Sequence, residues 1–343
     1  MSEMLSSGPP PRRIPPTRRL RYLAEALGFY LVIGFFKLFP IESASAFGAW
    51  IGRNFVAPTG FSKLARENLI AAYPEKTVTE VDAILCGMWD NLGRTLAEYS
   101  HLGKINTGCT NRRLTISGGE NVTAALARGK GVIFVSGHLA NWEVLPIAGR
   151  EFGLEGASVV RPANNPYMNA WLERTRTRYG MAELVSKGAQ GTRRIYSLLR
   201  KGACVCMLID QRASEGIQVP FFARDALTTP APAILALKMG VAIVPISNER
   251  VGGAHFHVHA HPMIEYESTG DATRDLIALT TAINYFMEEQ VRAHPEQWLW
   301  IHRRWVDENA PLRKRAQALS DQVLADQALS ERGTAHKAAS NRV

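Results

Sequence analysis

The sequence predicts an α/β sandwich with a mostly parallel central sheet and an N-terminal membrane-associated helix. Three observations carry this. From Leu114 onward, short β-branched and aliphatic runs alternate with helical stretches of about ten residues. Hydrophobic residues make up 46% of the 343-residue chain, enough for a large core and too many for a disordered protein. The apolar run from Ala26 to Phe36 stands alone near the N-terminus, bounded by Glu25 and Lys37.

The elements follow in chain order. Residues 1–19 are basic and rich in Ser, Pro and Gly, the composition of a disordered tail. Residues 20–40 form the membrane-anchoring helix. Its uninterrupted apolar core is shorter than the roughly eighteen residues of a spanning helix. With its flanks it either just spans or lies in one leaflet, with Tyr22, Tyr30 and the Arg cluster at headgroup level. The alternative is an amphipathic helix buried in the fold. Basic flanks place residues 12–21 on the cytoplasmic side. Residues 41–310 form the α/β domain, and 311–343 a polar, partly disordered tail.

Within the domain, helices are predicted over Ile41–Arg53, Phe61–Ala72 and Thr79–Tyr99. Strand and helix then alternate: strand Leu114–Ser117, helix Asn121–Arg128, strand Gly131–Ser136, helix Trp142–Glu151, strand Ala157–Arg161, helix Pro166–Tyr179. The pattern continues with strand Met181–Val185, helix Thr192–Arg200, strand Cys204–Ile209, helix Pro230–Met239 and strand Ala242–Ser247. It closes with strand Phe256–Ala260 and helix Thr273–Ala293.

The net charge of +9 is unevenly placed. Residues 1–21 carry +4 and residues 303–343 carry +3, so the body is only +2. Basic ends around a nearly neutral body point to a polyanionic surface, membrane or nucleic acid. Cys86, Cys109, Cys204 and Cys206 show no paired metal spacing and read as free thiols in a reducing compartment. Cys204 and Cys206 would share one face of a strand as small core residues. His255, His257, His259 and His261 would likewise share one face, with Phe256, Val258 and Ala260 pointing inward. That alternation explains the row without a metal, and no metal site is expected.

The chemistry concentrates after the strand ending at Ser136-Gly137, where a ligand crevice is expected. His138 stands in that turn and Glu143 follows in the first helical turn. A carboxylate there orients an imidazole whose other nitrogen accepts a proton from a hydroxyl. Asn141 is a candidate cap. A surface His and an N-terminal helix Glu remain the plain alternative.

The stretch Gly137-His138-Leu139-Ala140-Asn141-Trp142-Glu143 resembles the HxxxxE signature of the lipid A late acyltransferases, the lauroyl/myristoyl acyltransferase family. Arg161-Pro162 with Asn165-Pro166, Asp210-Gln211, Val219-Pro220-Phe221-Phe222, and Pro295-Glu296-Gln297-Trp298-Leu299-Trp300-Ile301-His302-Arg303-Arg304-Trp305 resemble further elements of that family in the same order. The departures are Ala140 and Ala223 where Gly is usual, and Val306 where Lys is common.

The resemblance implies a glycerolipid-acyltransferase-like fold and transfer of a fatty acyl group from acyl carrier protein to a hydroxyl of a phosphorylated, Kdo-bearing lipid A precursor. It implies the inner membrane, catalytic domain on the cytoplasmic side, and no cofactor. His138 would be the base and Glu143 its orienter. Arg161 would stabilise the oxyanion or hold the thioester arm, and Asp210 would hold Arg161. Asn141, Trp142, Asn165 and Gln211 are candidate substrate contacts. Phe221 and Phe222 are either core or a wall of the acyl channel. His302, Arg303 and Arg304 are candidate phosphate or headgroup contacts, although the arginines equally suit internal acids. The cations of 174–201, Arg176 among them, suit either an acidic carrier protein or an ordinary solvated face.

Two rivals are of the same superfamily, a mannoside and a glycerolipid acyltransferase. The glycerolipid enzymes carry HxxxxD and lack the terminal HRRW. A third, a basic nucleic-acid-binding protein, finds no recognised module here, and no nucleic-acid partner is expected.

Overall fold

The computed structural model describes residues 15–108 and 112–305. Cys109, Val306, residues 1–14 of the predicted 1–19 tail and the whole predicted 311–343 tail lie outside the described residues; residues 16–19 already belong to a helix. All described residues before Trp305 belong to one compact unit.

Four helices come first: α1 (Pro16–Lys37), α2 (Ile41–Ile51, running into a π turn at Gly52–Val56), α3 (Ser62–Ala72) and α4 (Val78–Glu98). Thr77 and Glu80 form a reciprocal capping box that starts α4. The α2–α4 crossing depends on glycine. A Cβ on Gly48 would lie 2.3 Å from the Gly93 carbonyl oxygen, and one on Gly93 would lie 2.1 Å from that of Gly48.

The rest alternates as expected: β1 (Leu114–Ser117), α5 (Gly119–Leu126), β2 (Val132–Ser136), α6 (Val144–Glu151), β3 (Gly156–Val160), α7 (Pro166–Tyr179). Then follow β4 (Glu183–Ser186), α8 (Ala189–Arg200), β5 (Cys204–Leu208), β6 (Ile217–Phe221), β7 (Arg224–Thr228) and α9 (Ala231–Met239). The described residues end with β8 (Ala242–Gly252), β9 (His255–Ala260), α10 (Ala272–Ala293) and a short turn at Pro295–Gln297.

The central sheet runs β1-β9-β8-β2-β5-β3-β4. Its pairings are parallel except β8 with β9, so the expected mostly parallel sheet is present. β2 is buried at every position, as its unbroken Val-Ile-Phe-Val run requires of a central parallel strand. The β6–β7 hairpin was not predicted. Its two-residue turn has Phe222 and Ala223 both at φ +53°, the geometry that usually takes Asn-Gly. A Phe-Ala turn carries no such signal.

α1 begins before the predicted residue 20 and packs one stripe, Tyr22, Ala26, Ile33 and Phe36, against the fold. Its other face exposes Leu20, Leu27, Leu31 and Phe35. Among the described residues no helix is long and apolar enough to cross a membrane. Asn165 fixes this packing, donating to the Tyr22 carbonyl at 2.8 Å and to Glu25 at 3.0 Å.

On β9 the alternation is as read: Phe256, Val258 and Ala260 are buried. The histidines on the other face bond to protein. Ser117 Oγ lies 2.7 Å from both His257 and His259, and His261 lies 2.8 Å from Ser247 Oγ. Among the described residues no cluster of three or more His, Cys, Asp or Glu is placed to hold a metal. Cys204 and Cys206 sit in the core on β5, where burial pushes their thiols up to about 11 and about 12.

Burial, with His259 beside it, pushes His261 down from 6.5 to about 4. Between those values the unfolded chain takes up a proton that the folded protein refuses, so stability falls as pH falls through this window. Denaturant titrations at successive pH values should show that loss, and His261→Phe should flatten it. An unchanged slope in the variant would remove the assignment.

Candidate active site

The parallel register of β2 and β5 builds the site. Ser136 pairs with Leu208 at the ends of the two strands, and each chain then runs two residues further, to His138 and to Asp210. Gly137 permits the approach: a Cβ there would lie 2.3 Å from the Met287 methyl and 3.0 Å from Asp210 Cγ.

His138 Nδ1 lies 2.8 Å from Asp210 Oδ1, and the His138 backbone N–H donates to Oδ2 at 2.8 Å. The Trp298 indole N–H also donates to Oδ2, at 2.8 Å. Burial alone would raise the Asp210 carboxyl. The His138 ring and backbone N–H, with the Trp298 indole, outweigh burial and hold it well below the usual carboxylate range. An ionised Asp210 requires a proton on Nδ1, which leaves His138 Nε2 as a base. Gln211 Nε2 lies 3.2 Å from that nitrogen and 3.0 Å from His302 Nε2. The amide thus marks the place from which a hydroxyl would donate. Burial, and the neighbouring His138, push His302 down.

Two expected roles are corrected here. Asp210, not Glu143, orients His138, and Asp210 does not hold Arg161. Glu143 faces away: Arg176 Nη2 donates to it at 2.5 Å, Arg176 Nε at 3.0 and 3.1 Å, and Tyr99 Oη at 2.5 Å. Arg176 is therefore an internal partner and not one of the solvated cations of its helix. Arg161 is exposed one residue beyond β3, and bonds Asn164 at 3.3 Å.

The remaining expected contacts divide. Trp142 lies edge-on to the His138 ring, centroids 5.1 Å apart. With Gln211 and His302 it is brought to the base. Asn141 is fully buried; its amide donates to Glu98 at 2.9 Å and its carbonyl accepts the Glu143 N–H at 3.1 Å. It positions the turn and contacts no ligand space. Asn165 caps α7, accepting from Tyr167 N and Met168 N, while its amide is spent on α1. Phe221 and Phe222 are core and do not line the cavity described below.

Arg303 is exposed, whereas Arg304 is fully buried. Arg304 donates to the Leu227 carbonyl at 3.0 Å, Thr228 Oγ1 at 2.8 Å and Asn284 Oδ1 at 3.0 Å, and lies over the Phe221 ring. Burial pushes its guanidinium down to about 10, against the opposing charge of Asp210. A headgroup contact by Arg304 is excluded by this enclosure.

The turn that carries His138 is held in part by Asn91, Thr95, Glu98 and Arg250, which the sequence did not single out. Ala140 has φ +48°, a left-handed conformation that explains why Gly is usual there. Its carbonyl accepts from Asn91 at 3.0 Å and Thr95 at 3.1 Å, and its N–H donates to Gln297 at 2.9 Å. Beneath it Arg250 and Glu98 form a buried ion pair, 2.5 Å apart.

Beside the turn an apolar cavity opens between the sheet and α6. Phe134, Leu145, Leu154, Met181, Leu184 and Cys206 are among its lining, with Trp142, Glu143 and Arg176 also on its wall. Trp142 is the wall that this cavity shares with the surroundings of His138.

The family model for the bacterial lipid A biosynthesis acyltransferases matches residues 15–307. The lipid A biosynthesis palmitoleoyltransferase of Escherichia coli K12 is 26% identical over 249 residues, 71% of this chain and 78% of that protein. The lipid A biosynthesis lauroyltransferase of the same strain is 26% identical over 253 residues, again 71% and 78%. The phosphatidylinositol mannoside acyltransferase of Mycobacterium tuberculosis is 24% identical over 265 residues, 74% of this chain and 80% of that protein.

Two stability measurements check this geometry. Glu143→Ala strands the Arg176 charge and should lower the unfolding free energy by about 3 kcal/mol; a change under about 0.5 kcal/mol would show that the pair is loose. Ala140→Gly relieves the left-handed conformation at the cost of backbone entropy, and should raise stability by about 0.5–1 kcal/mol. A loss of stability would mean that the Ala140 methyl packs usefully.

Proposed function

The chain belongs to the bacterial lipid A biosynthesis acyltransferase family, and from that premise we propose that it moves a fatty acyl group from a thioester to a hydroxyl of a phosphorylated glycolipid, with His138 as general base. The observation that carries the mechanism is the buried Asp210 carboxylate on His138 Nδ1. As the acceptor oxygen attacks the thioester carbonyl carbon, His138 Nε2 takes the hydroxyl proton. The tetrahedral intermediate collapses, the carbon–sulfur bond breaks, and the imidazolium returns the proton to the departing thiolate. Asp210 remains ionised throughout and stabilises the imidazolium. The thioester is already activated, so the reaction needs no cofactor.

Several features support the finer reading. The apolar cavity beside Trp142 suits the acyl chain. Acyl carrier protein is the proposed donor, and the exposed cations Arg174, Arg178, Lys187, Arg193, Arg200 and Lys201 suit its acidic surface. A Kdo-bearing lipid A precursor is the proposed acceptor, following the family and the two Escherichia coli relatives, with Arg303 as the remaining candidate for its phosphate. Arg161 stays a candidate for the thioester arm. The similarity to a phosphatidylinositol mannoside acyltransferase favours one second reading, a mannoside acceptor.

The proposed site of action is the cytoplasmic face of the inner membrane. Exposed Phe35 of α1 joins exposed Phe47, Trp50 and Phe55 in a run of ring contacts, and Arg18, Arg19 and Arg21 stand at the start of α1. Such a surface suits insertion into one leaflet beside anionic headgroups.

With radiolabelled acyl carrier protein thioesters, the wild type should acylate a lipid A precursor faster than a phosphatidylinositol mannoside. His138→Ala and Asp210→Asn should each lower kcat by about 10²–10⁴-fold with a smaller change in KM. Undiminished transfer by His138→Ala would sink the mechanism, and a preference for the mannoside would replace the acceptor.

A further inference from the structure

Asp210, His138, Gln211 and His302 fix one another's protons in sequence. Asp210 holds the His138 ring proton at Nδ1, so Nε2 of the neutral ring can only accept. Gln211 therefore turns its amide nitrogen, not its oxygen, toward that atom, at 3.2 Å. The second N–H of the same amide reaches His302 Nε2 at 3.0 Å. That nitrogen must accept too, so His302 also carries its proton on Nδ1. Burial, and the neighbouring His138, push His302 down, which keeps its Nε2 free of a proton.

The acceptor hydroxyl needs the lone pair that Gln211 covers on His138. When the hydroxyl donates to Nε2, the displaced Gln211 N–H finds a new acceptor in the entering oxygen itself. Every direction about that oxygen is then assigned. One holds the bond to its own carbon, one the O–H to His138, and one lone pair the Gln211 N–H. The remaining lone pair is left for the thioester carbonyl carbon. We propose that Gln211 is a catalytic residue that aims the acceptor oxygen by donating to it while His138 Nε2 takes its proton, and that His302 is a positioning residue that holds the Gln211 amide in the donating orientation. This rests on the reading of His138 as the base for a hydroxyl acceptor and names what aims that hydroxyl. Gln211 keeps both amide protons throughout; the one proton that moves during attack goes from the acceptor oxygen to Nε2.

The fold braces this arrangement. Gln211 directly follows Asp210, so the residue that fixes His138 also carries the amide. His302 belongs to the same segment as Trp298, whose indole donates to Asp210 at 2.8 Å. Asn68 of α3 donates to the Trp300 and His302 carbonyls, each at 2.7 Å. One C-terminal segment therefore reaches His138 from both sides, through Asp210 at Nδ1 and through Gln211 at Nε2. The His138 and His302 ring centroids are 6.3 Å apart, and the amide bridges them.

The test uses the full-length protein and a labelled acyl carrier protein thioester, with a lipid A precursor or water alone as acceptor. Gln211→Ala should lower kcat for both acceptors by about three- to tenfold, the worth of one net hydrogen bond, with little change in the thioester KM. Gln211→Glu keeps the size but can only accept, and should be no better than Gln211→Ala. His302→Ala should lower kcat similarly and add nothing to Gln211→Ala in the double variant. His302→Gln, whose side-chain oxygen accepts at the same reach, should restore the loss. In an NMR correlation of isotope-labelled imidazoles, the signal that His302→Gln removes should show its proton on Nδ1. Undiminished turnover by Gln211→Ala or by Gln211→Glu overturns the inference, as do additive losses in the double variant or a proton on His302 Nε2. A wild type that hydrolyses the thioester in a Gln211-dependent way without acylating the lipid fails the proposed function alone. Acylation that Gln211→Ala leaves intact fails this inference alone.

Discussion

The arrangement depends on one buried carboxylate. Asp210 is removed from solvent and ionised, which is unfavourable unless donors surround it. Three donors from two parts of the chain supply this: the His138 ring, the His138 backbone N–H and the Trp298 indole. Each donor is fixed by something else. The register of β2 and β5 sets the distance from Ser136 to Leu208. Gly137 leaves room for the carboxylate. The bridge between Leu139 and Trp298 brings the C-terminal segment onto the turn. Moving any one of them leaves a charged oxygen short of a partner, so sheet register, turn and C-terminal element are coupled through it.

A second buried charge holds the turn from the other side. Glu98 accepts from Ser45, Asn141 and Arg250, while Arg250 also donates to Asn91, Thr95 and the Gly253 carbonyl. Asn91 and Thr95 in turn hold the Ala140 carbonyl. The strained residue is thus clamped by α4, and α4 is tied to β8. This answers how an alanine occupies a left-handed position two residues from His138. The local cost of about 1–2 kcal/mol is offset by hydrogen bonds that exist only in that conformation.

Much of the architecture was legible because it rests on local pattern. β1 and α7 begin and end where hydrophobic spacing and Asn165-Pro166 placed them. The hairpin was illegible because Phe222-Ala223 lacks the residues that favour positive φ. Of the residues singled out, His138, Asp210, Gln211, Trp142 and His302 lie together, while Arg161, Asn141, Asn165 and Arg304 do not, and the carboxylate was paired wrongly. Glu143 lies five positions from His138, whereas Asp210 lies 72 away, so sequence proximity favoured the wrong carboxylate. Only the parallel pairing of two strands brings the distant one into reach. Arg176 was likewise hidden, since in sequence it is one cation among several.

The same distinction changes what the arginines mean. Arg176, Arg250 and Arg304 count toward a basic composition, yet none is available to an external anion. Arg176 is spent on Glu143 and Arg250 on Glu98. Arg304 is enclosed by Leu227, Thr228, Asn284 and the Phe221 ring. The tandem Arg303-Arg304 shows the point within two residues. On an extended segment successive side chains point to opposite sides, so one guanidinium faces solvent while the other serves as an internal brace between the β6–β7 hairpin and α10. Burial thus separates two neighbouring arginines into an internal brace and a solvent-facing cation, a difference that composition alone does not carry.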